Sequence, residues 1–254
     1  LIERQGQIHQ GNNSWAIGYS RNPASAYLAA LMGPHNPFPI ALADIDMELI
    51  AEWYDFCTSK ALKYDAVHDT AESLGDVLMA ICSAGRATPR HDGVKWGVVI
   101  DRPETLVIDH VNARNSAEFS WSRNYFEPPH AFRISFSDET NEYEPAERIV
   151  PWPGHTGAIT LTEELSLPGK TDPSEIWREA RRRMYELIFR PASFSAMQSG
   201  RSRVATRGDL VMGNFDALER AQFAARVKSV TGTLVELDEV IPPYSNLAIR
   251  FKAY

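Results

Sequence analysis

Two cysteines, Cys57 and Cys82, are all that 254 residues contain. Each lies in a run with helical apolar spacing, where a free thiol acts as a small buried hydrophobe, so neither a disulfide framework nor a zinc site is expected. The seven histidines stand at 9, 35, 68, 91, 110, 130 and 155, and no two fall close enough to give a ready metal-ligating pair on one helix or hairpin. No apolar run approaches the roughly 20 residues that a membrane-spanning helix needs, and no signal-peptide pattern opens the chain, so it is expected to be made and folded in a cytoplasm. Excess positive charge is missing as well. With 26 basic against 33 acidic residues the formal net charge is -7, which argues against a surface built to hold nucleic acid through its phosphates. The G-x-S-x-G, Walker A and G-x-G-x-x-G patterns are absent, and there is neither an internal repeat nor a low-complexity segment.

What is present reads as ordinary globular protein, 44% hydrophobic and 23% charged, enough for one large domain or two or three small ones. The sequence starts at Leu1 rather than Met, and near its end at Tyr254 Leu247, Ile249 and Phe251 alternate with Ala248, Arg250 and Lys252 in a strand pattern with no turn after it. An internal fragment of a larger protein is the expectation.

Local grammar gives a helix from Asn22, with Asn22 as cap, Pro23 at the first position, Tyr27, Leu28 and Leu31 on one face, and Gly33 as stop. A second helix starts near Asp44 or Asp46 and carries Leu49, Ile50, Trp53, Phe56 and Cys57 at helical spacing. For a third, Asp69 and Glu72 have capping-box spacing before Leu74, Val77, Leu78 and Ile81. Asp92-Gly93 turns into the strand Trp96 to Ile100. Phe132, Ile134 and Phe136 alternate with polar residues, and Asp138 to Asn141 returns the chain to Glu147–Val150, which predicts an antiparallel hairpin. Asp172-Pro-Ser-Glu175 is the clearest helix start, with Ile176, Trp177, Ala180, Met184, Leu187 and Ile188 as one apolar stripe ending at Pro191. Trp177, Leu187 and Ile188 are expected to bury against the strands that follow. Those are Phe194 to Gln198, Val204 to Met212, Ala225 to Val230 and Thr233 to Ile241, a spacing that suggests a small barrel or sandwich. The fold class expected is α+β.

Four features invite chemistry. Arg207-Gly208-Asp209 resembles an integrin ligand, yet Gly for a positive φ and Asp for local backbone bonding are what a turn requires. Asp138, Glu139, Glu142, Glu144 and Glu147 could attract Ca²⁺ but have no ligand register, so a solvated hairpin tip is expected. His130 and His155, both in loops, are the histidines best placed for chemistry, although turn-filling accounts for them. Arg181, Arg182 and Arg183, with Arg178 and Arg190, are expected to form a salt-bridged face with Glu175, Glu179 and Glu186. No catalytic, cofactor-binding or metal-ligating residue is assigned, and no cofactor is expected.

Three segments carry more specific wording: Arg114-Asn-Ser116 through Pro129-His-Ala-Phe-Arg133, Glu147-Arg-Ile-Val150, and Leu167-Pro-Gly-Lys-Thr-Asp-Pro173. In this order, with Asn22-Pro-Ala-Ser-Ala-Tyr27, Ser83-Ala-Gly-Arg86, Lys95 to Pro103 and Thr206 to Val211, they resemble phage tail tip proteins. That host-specificity or tip attachment family includes the J protein of lambda-like siphophages and related gene transfer agent and prophage tail proteins. Pro89 to Lys95 and Gly213 to Gln222 depart from its wording. The resemblance implies a non-enzymatic hub component at the virion tail tip. Such a component assembles as a homotrimer with other tail tip and tail tube proteins and reaches the host surface receptor through regions outside this chain. It holds no specific nucleic acid. The expected divisions are a linker or strand over 1–21, an α+β module over 22–115, a hairpin-rich hub segment over 116–170, and a helix with a small barrel-like domain over 171–254. A surface-polysaccharide-binding or hydrolysing module is the alternative. It would require Trp121, Tyr125, Tyr143 and Trp152 to share one open groove.

Overall fold

The capping residues of the first hundred positions set its architecture. The computed structural model describes residues 5–11, 14–69, 71–124, 127–198, 200, 204–215 and 227–237. A hairpin of β1 (Gln5–His9) and β2 (Trp15–Tyr19) precedes α1 (Pro23–Met32). The Asn22 side chain accepts from the Ala24 amide at 2.9 Å and donates to Tyr54 O at 3.0 Å, so this cap also ties α1 to α2 (Met47–Ser59). Asp46 caps α2 through the Leu49 amide. α3 (Leu74–Ala84) follows, then an antiparallel pair of β3 (Ala87–His91) and β4 (Trp96–Ile100). Asp92 closes that pair by accepting from the Val94 and Lys95 amides at 2.8 and 2.7 Å.

These elements enclose a first core around Trp53, Tyr27, Leu28, Leu31, Ile50 and Ile81. Trp53 meets the edge of Tyr27 at 5.6 Å and donates its indole N–H to Gly85 O, while the Tyr27 hydroxyl donates to Gly97 O. Both polar tips are therefore satisfied inside the apolar cluster, as buried aromatics require. Cys57 and Cys82 lie in this core as free thiols, and burial pushes the Cys57 thiol up to about 12.

β5 (Val107–Asn112) and β6 (Ser116–Arg123) lead to the second core. There β7 (Ala131–Asp138) pairs antiparallel with β8 (Glu144–Pro151) as the expected hairpin, with Phe132 opposite Val150 and Asp138 opposite Glu144, and β9 (Thr162–Glu164) adds in parallel. The sheet order is β8-β7-β9. α4 (Pro173–Phe189) covers one face, placing Ile176, Ala180 and Met184 on Phe132, Ile134, Val150 and Trp152. The chain then gives β10 (Ala192–Gln198), antiparallel to β6, and β11 (Leu210–Asn214), parallel to β5. A last antiparallel pair joins β12 (Val227–Thr231) and β13 (Leu234–Leu237).

The protein is α+β, as expected. The barrel is not found: among the described residues the strands form five two-stranded sheets and one of three strands, too few neighbours per sheet to curl and close. Positions 225–226 and 238–241 of the expected late strands, and the Leu247 to Phe251 alternation, lie outside the described residues.

Two helix expectations are corrected. α3 is capped by Ser73, which accepts from the Asp76 amide at 3.1 Å, because Glu72 is engaged by His68 and is not free to close a box with Asp69. Trp177, Leu187 and Ile188 do not bury against the later strands and remain 45%, 40% and 39% exposed. The small inner face of the β7-β8 hairpin is filled by Ile176, Ala180 and Met184, and β10 pairs away to β6.

Candidate functional site

The two cores meet through charge. Lys170 is buried, and its ammonium spends all its donors on Lys63 O at 2.7 Å, Ala84 O at 2.8 Å and the Glu175 carboxylate. Lys63 and Ala84 belong to the first unit and Glu175 to the first turn of α4, so one cation links both. The Glu175 carboxylate also accepts the Lys63 amide at 3.1 Å, while its Oε2 is buried without a partner. Glu175, three residues after the Asp172 cap, therefore does not complete a capping box. Asp172 alone caps α4, accepting from the Ser174 amide at 2.8 Å, and the Lys170 ammonium outcompetes a backbone N–H for the glutamate. Burial pulls the Lys170 ammonium below its ordinary range, with Glu175 opposing.

Around this centre the pairing continues. Arg86 forks onto Glu179 through two bonds of 3.0 and 2.6 Å. Arg21 binds Asp65 with both arms of its guanidinium and reaches Glu139, and Asp65 is the chief cause of its upward shift. Lys63 bridges Glu139 at 3.1 Å and Asp172 at 3.2 Å. Burial pushes the Glu139 carboxyl up, but the bonds from Arg21, Lys63 and Thr171 together outweigh it and leave it below the usual carboxylate range. Glu139 thus leaves the solvated hairpin tip expected for the acidic cluster. No group of His, Cys, Asp and Glu among the described residues could hold a metal ion.

Gly169 completes the joint. Its φ is +67°, and a Cβ there would stand 2.3 Å from the Tyr64 ring, so Leu167-Pro-Gly-Lys-Thr can cross Tyr64 only with glycine at this point. The Asp65 amide donates to Gly169 O at 2.8 Å.

Beside the joint opens a cleft of about 1940 Å³, bordered by Arg21, Phe38, Tyr64, His68, Phe136 and Tyr143. It holds a relay that spacing did not reveal. The Tyr64 hydroxyl lies 2.7 Å from His68 Nε2, and His68 Nδ1 lies 2.8 Å from Glu72 Oε2. Burial pushes the Tyr64 phenol up to about 12. A phenol shifted in that direction is the opposite of an activated nucleophile.

The other features singled out are dispersed. His130 and His155 do come together, stacked at 4.4 Å, but His130 Nδ1 accepts from the Thr160 and Leu161 amides at 3.2 and 3.3 Å and is spent on loop structure. Arg207-Gly208-Asp209 is a turn: Gly208 has φ +102°, and Asp209 accepts from the Thr206 amide at 2.7 Å. On α4 the expected pairing is found in part: Glu186 pairs with Arg183 at 2.7 Å and more loosely with Arg182 at 3.9 Å, and Glu179 lies 3.7 Å from Arg178. Arg182 and Arg190 also reach Asp101, outside the helix. Trp152 is buried against Phe132, Tyr143 sits at the far end of β8, and Trp121 lies on the separate β6-β10 pair. Tyr125 lies outside the described residues.

No protein-family model matches the chain, and no curated protein matches it. A solved structure resembles it. The tail protein from Neisseria meningitidis MC58 aligns over 85% of this chain and 69% of its own length, at 10% identity and a TM-score of 0.43. A likeness of that degree does not establish a shared fold.

Proposed function

We propose that this chain is a structural component of a phage or prophage tail, without catalytic activity, and that it serves in the tip or baseplate hub. One observation supports this reading above the rest. The wording that carries the tail tip resemblance is used for architecture. Leu167-Pro-Gly-Lys-Thr-Asp-Pro173 supplies the buried cation, the glycine crossing and the helix cap that lock the two cores. Arg114-Asn-Ser116 forms the turn between β5 and β6, where Asn115 accepts from the Asn112 amide at 2.9 Å. The Neisseria likeness is in keeping with a tail role without carrying it. In this reading the chain assembles with further copies, as a homotrimer in the whole protein, and with tail tip and tube proteins. Contact with the host receptor falls to regions beyond it, and assembly takes place in the bacterial cytoplasm.

The acidic balance suits a wall past which DNA moves, since every neutralised phosphate would slow passage. The polysaccharide alternative finds no support, because Trp121, Tyr143 and Trp152 do not share a groove. Electron microscopy of intact particles labelled with antibody against this chain tests the proposal. Label at the distal end of the tail is expected. Unlabelled particles, or label on the head, would refute it.

A further inference from the structure

The β1-β2 hairpin meets α2 through three rings. His9 and Trp15 stand directly opposite each other across the hairpin, so their side chains leave the ribbon on the same face. Both pack on Tyr54 of α2. The ring centroids lie 5.1 Å apart for His9 and Trp15 and 5.9 Å from each of these to Tyr54, with the planes inclined at 45°, 73° and 81°. Rings inclined in this way meet by their edges rather than their faces, and the edges carry the nitrogens.

Two of those nitrogens are unsatisfied. Among the described residues, three side-chain polar atoms are buried without a protein partner: Glu175 Oε2 at the joint, and His9 Nε2 and Trp15 Nε1 in this one cluster. The His9 side chain is 5% exposed. Buried polar atoms are nearly always bonded, and leaving one unbonded costs free energy.

The chemistry of each nitrogen is fixed. Asp55 Oδ1 lies 2.9 Å from His9 Nδ1. A carboxylate only accepts, so Nδ1 carries the proton and Nε2 of the neutral ring is an acceptor, whereas the indole Nε1 only donates. The two atoms are complementary, yet they do not bond to each other. A group that joins them must accept from the indole and donate to the imidazole. A bare cation cannot accept, and an anion cannot donate. Water does both, and two polar partners meet the least that a buried water requires.

We propose that one water molecule is bound between Trp15 Nε1 and His9 Nε2, within the three rings, and that it completes the seat of the β1-β2 hairpin on α2. The indole donates to the water, the water to the imidazole, and the imidazole to Asp55. Asp55 is 65% exposed and acts through His9 as a positioning residue, since a carboxylate at the surface sets the direction of every bond behind it.

Nuclear magnetic resonance of the whole chain tests this. At about pH 8, where free imidazole is neutral, long-range proton–nitrogen spectra are expected to place the His9 proton on Nδ1. The Trp15 indole proton is expected to show a nuclear Overhauser effect to a long-lived water. Asp55→Ala removes the acceptor at an exposed position, and circular dichroism checks its fold. The His9 proton should then divide between the two nitrogens, and the Trp15 indole proton should exchange about tenfold faster, the worth of about one hydrogen bond. Asp55→Asn, whose amide oxygen accepts from Nδ1 as the carboxylate does, should restore both readings. Should Asp55→Ala unfold, the spectra of the unmodified chain decide alone. A His9 proton on Nε2 in that chain, an indole proton that exchanges as fast as one at the surface, or a nitrogen–nitrogen coupling that shows Trp15 bonded directly to His9 overturns the assignment.

Discussion

Replacing Lys170 by Met keeps the length of the side chain and deletes its charge. The Glu175 carboxylate then stays buried with the Lys63 amide as its one remaining donor, and Lys63 O and Ala84 O lose the ammonium that they shared. Removing one partner of a buried ion pair costs about 3 to 5 kcal/mol, a large share of the roughly 5 to 15 kcal/mol that holds a domain together. Urea unfolding followed by tryptophan fluorescence measures the loss, since Trp53 lies in the first core and Trp152 in the second. Adding Glu175→Gln to Lys170→Met removes the stranded charge and should recover part of the loss. It should not recover all, because each unpaired carbonyl still costs about 1 to 3 kcal/mol. A single-variant loss below about 1 kcal/mol would show that water reaches the joint, and the linkage argued from Lys170 would fail.

Three further expectations follow from the geometry. Ile176→Ala should cost about 2 to 5 kcal/mol, whereas Trp177→Ala, on the exposed side, should stay within about 1 kcal/mol in the same measurement; a reversed order would contradict the packing of α4. Gly208→Val should destabilise, since φ is +102° and a Cβ would meet Val99 at 2.6 Å, while Arg207→Ala leaves the melting temperature nearly unchanged and Asp209→Ala, which loses the Thr206 bond, falls between them. For acid, Glu139 and Asp172 both sit below their ordinary values of 4.5 and 3.8: burial pushes each up, and the bonds from Arg21 and Lys63 to Glu139, and from the Ser174 amide and Lys63 to Asp172, prevail. Their contribution is complete above those values and is lost as pH falls through the lower folded ones, so urea midpoints should hold from pH 7 to about 5 and drop near pH 3, and a flat profile would refute the joint's electrostatics.

Where sequence grammar is local, it was legible. Asn22 and Asp172 cap the helices expected of them, Asp46 is the cap of the two aspartates offered for α2, and the β7-β8 hairpin follows from alternation and its polar turn. What escaped it is set by competition between distant groups. Ser73 starts α3 because His68 occupies Glu72, and Glu175 serves Lys170 because a buried ammonium binds a carboxylate more strongly than a backbone amide does. The stripe of α4 was read too wide, since periodicity marks apolar positions but not the width of the sheet that receives them. Arg21 and Glu139 are 118 positions apart, a pairing that composition and spacing cannot supply, and the Tyr64-His68-Glu72 relay lies in a segment with no regular period to reveal it.

The pairing of β6 with β10 has a topological consequence. Arg123 lies opposite Ala192, and the Asn124 amide donates to Pro191 O at 2.9 Å, so the chain leaves one strand, builds β7, β8, β9 and α4, and re-enters the neighbouring strand at the same place. The second core is an insertion with adjoining ends. Such units can be excised or exchanged with little disturbance to the host, because the connection that replaces them is short. Joining Arg123 to Ala192 by a tight turn would convert the pair into an ordinary hairpin. It would also leave Lys63 O and Ala84 O without the ammonium that reaches them from across the junction. The inserted unit and its host could therefore diverge away from the joint while remaining bound to keep Lys170, Gly169 and the Arg86–Glu179 and Arg21–Glu139 pairs that cross it.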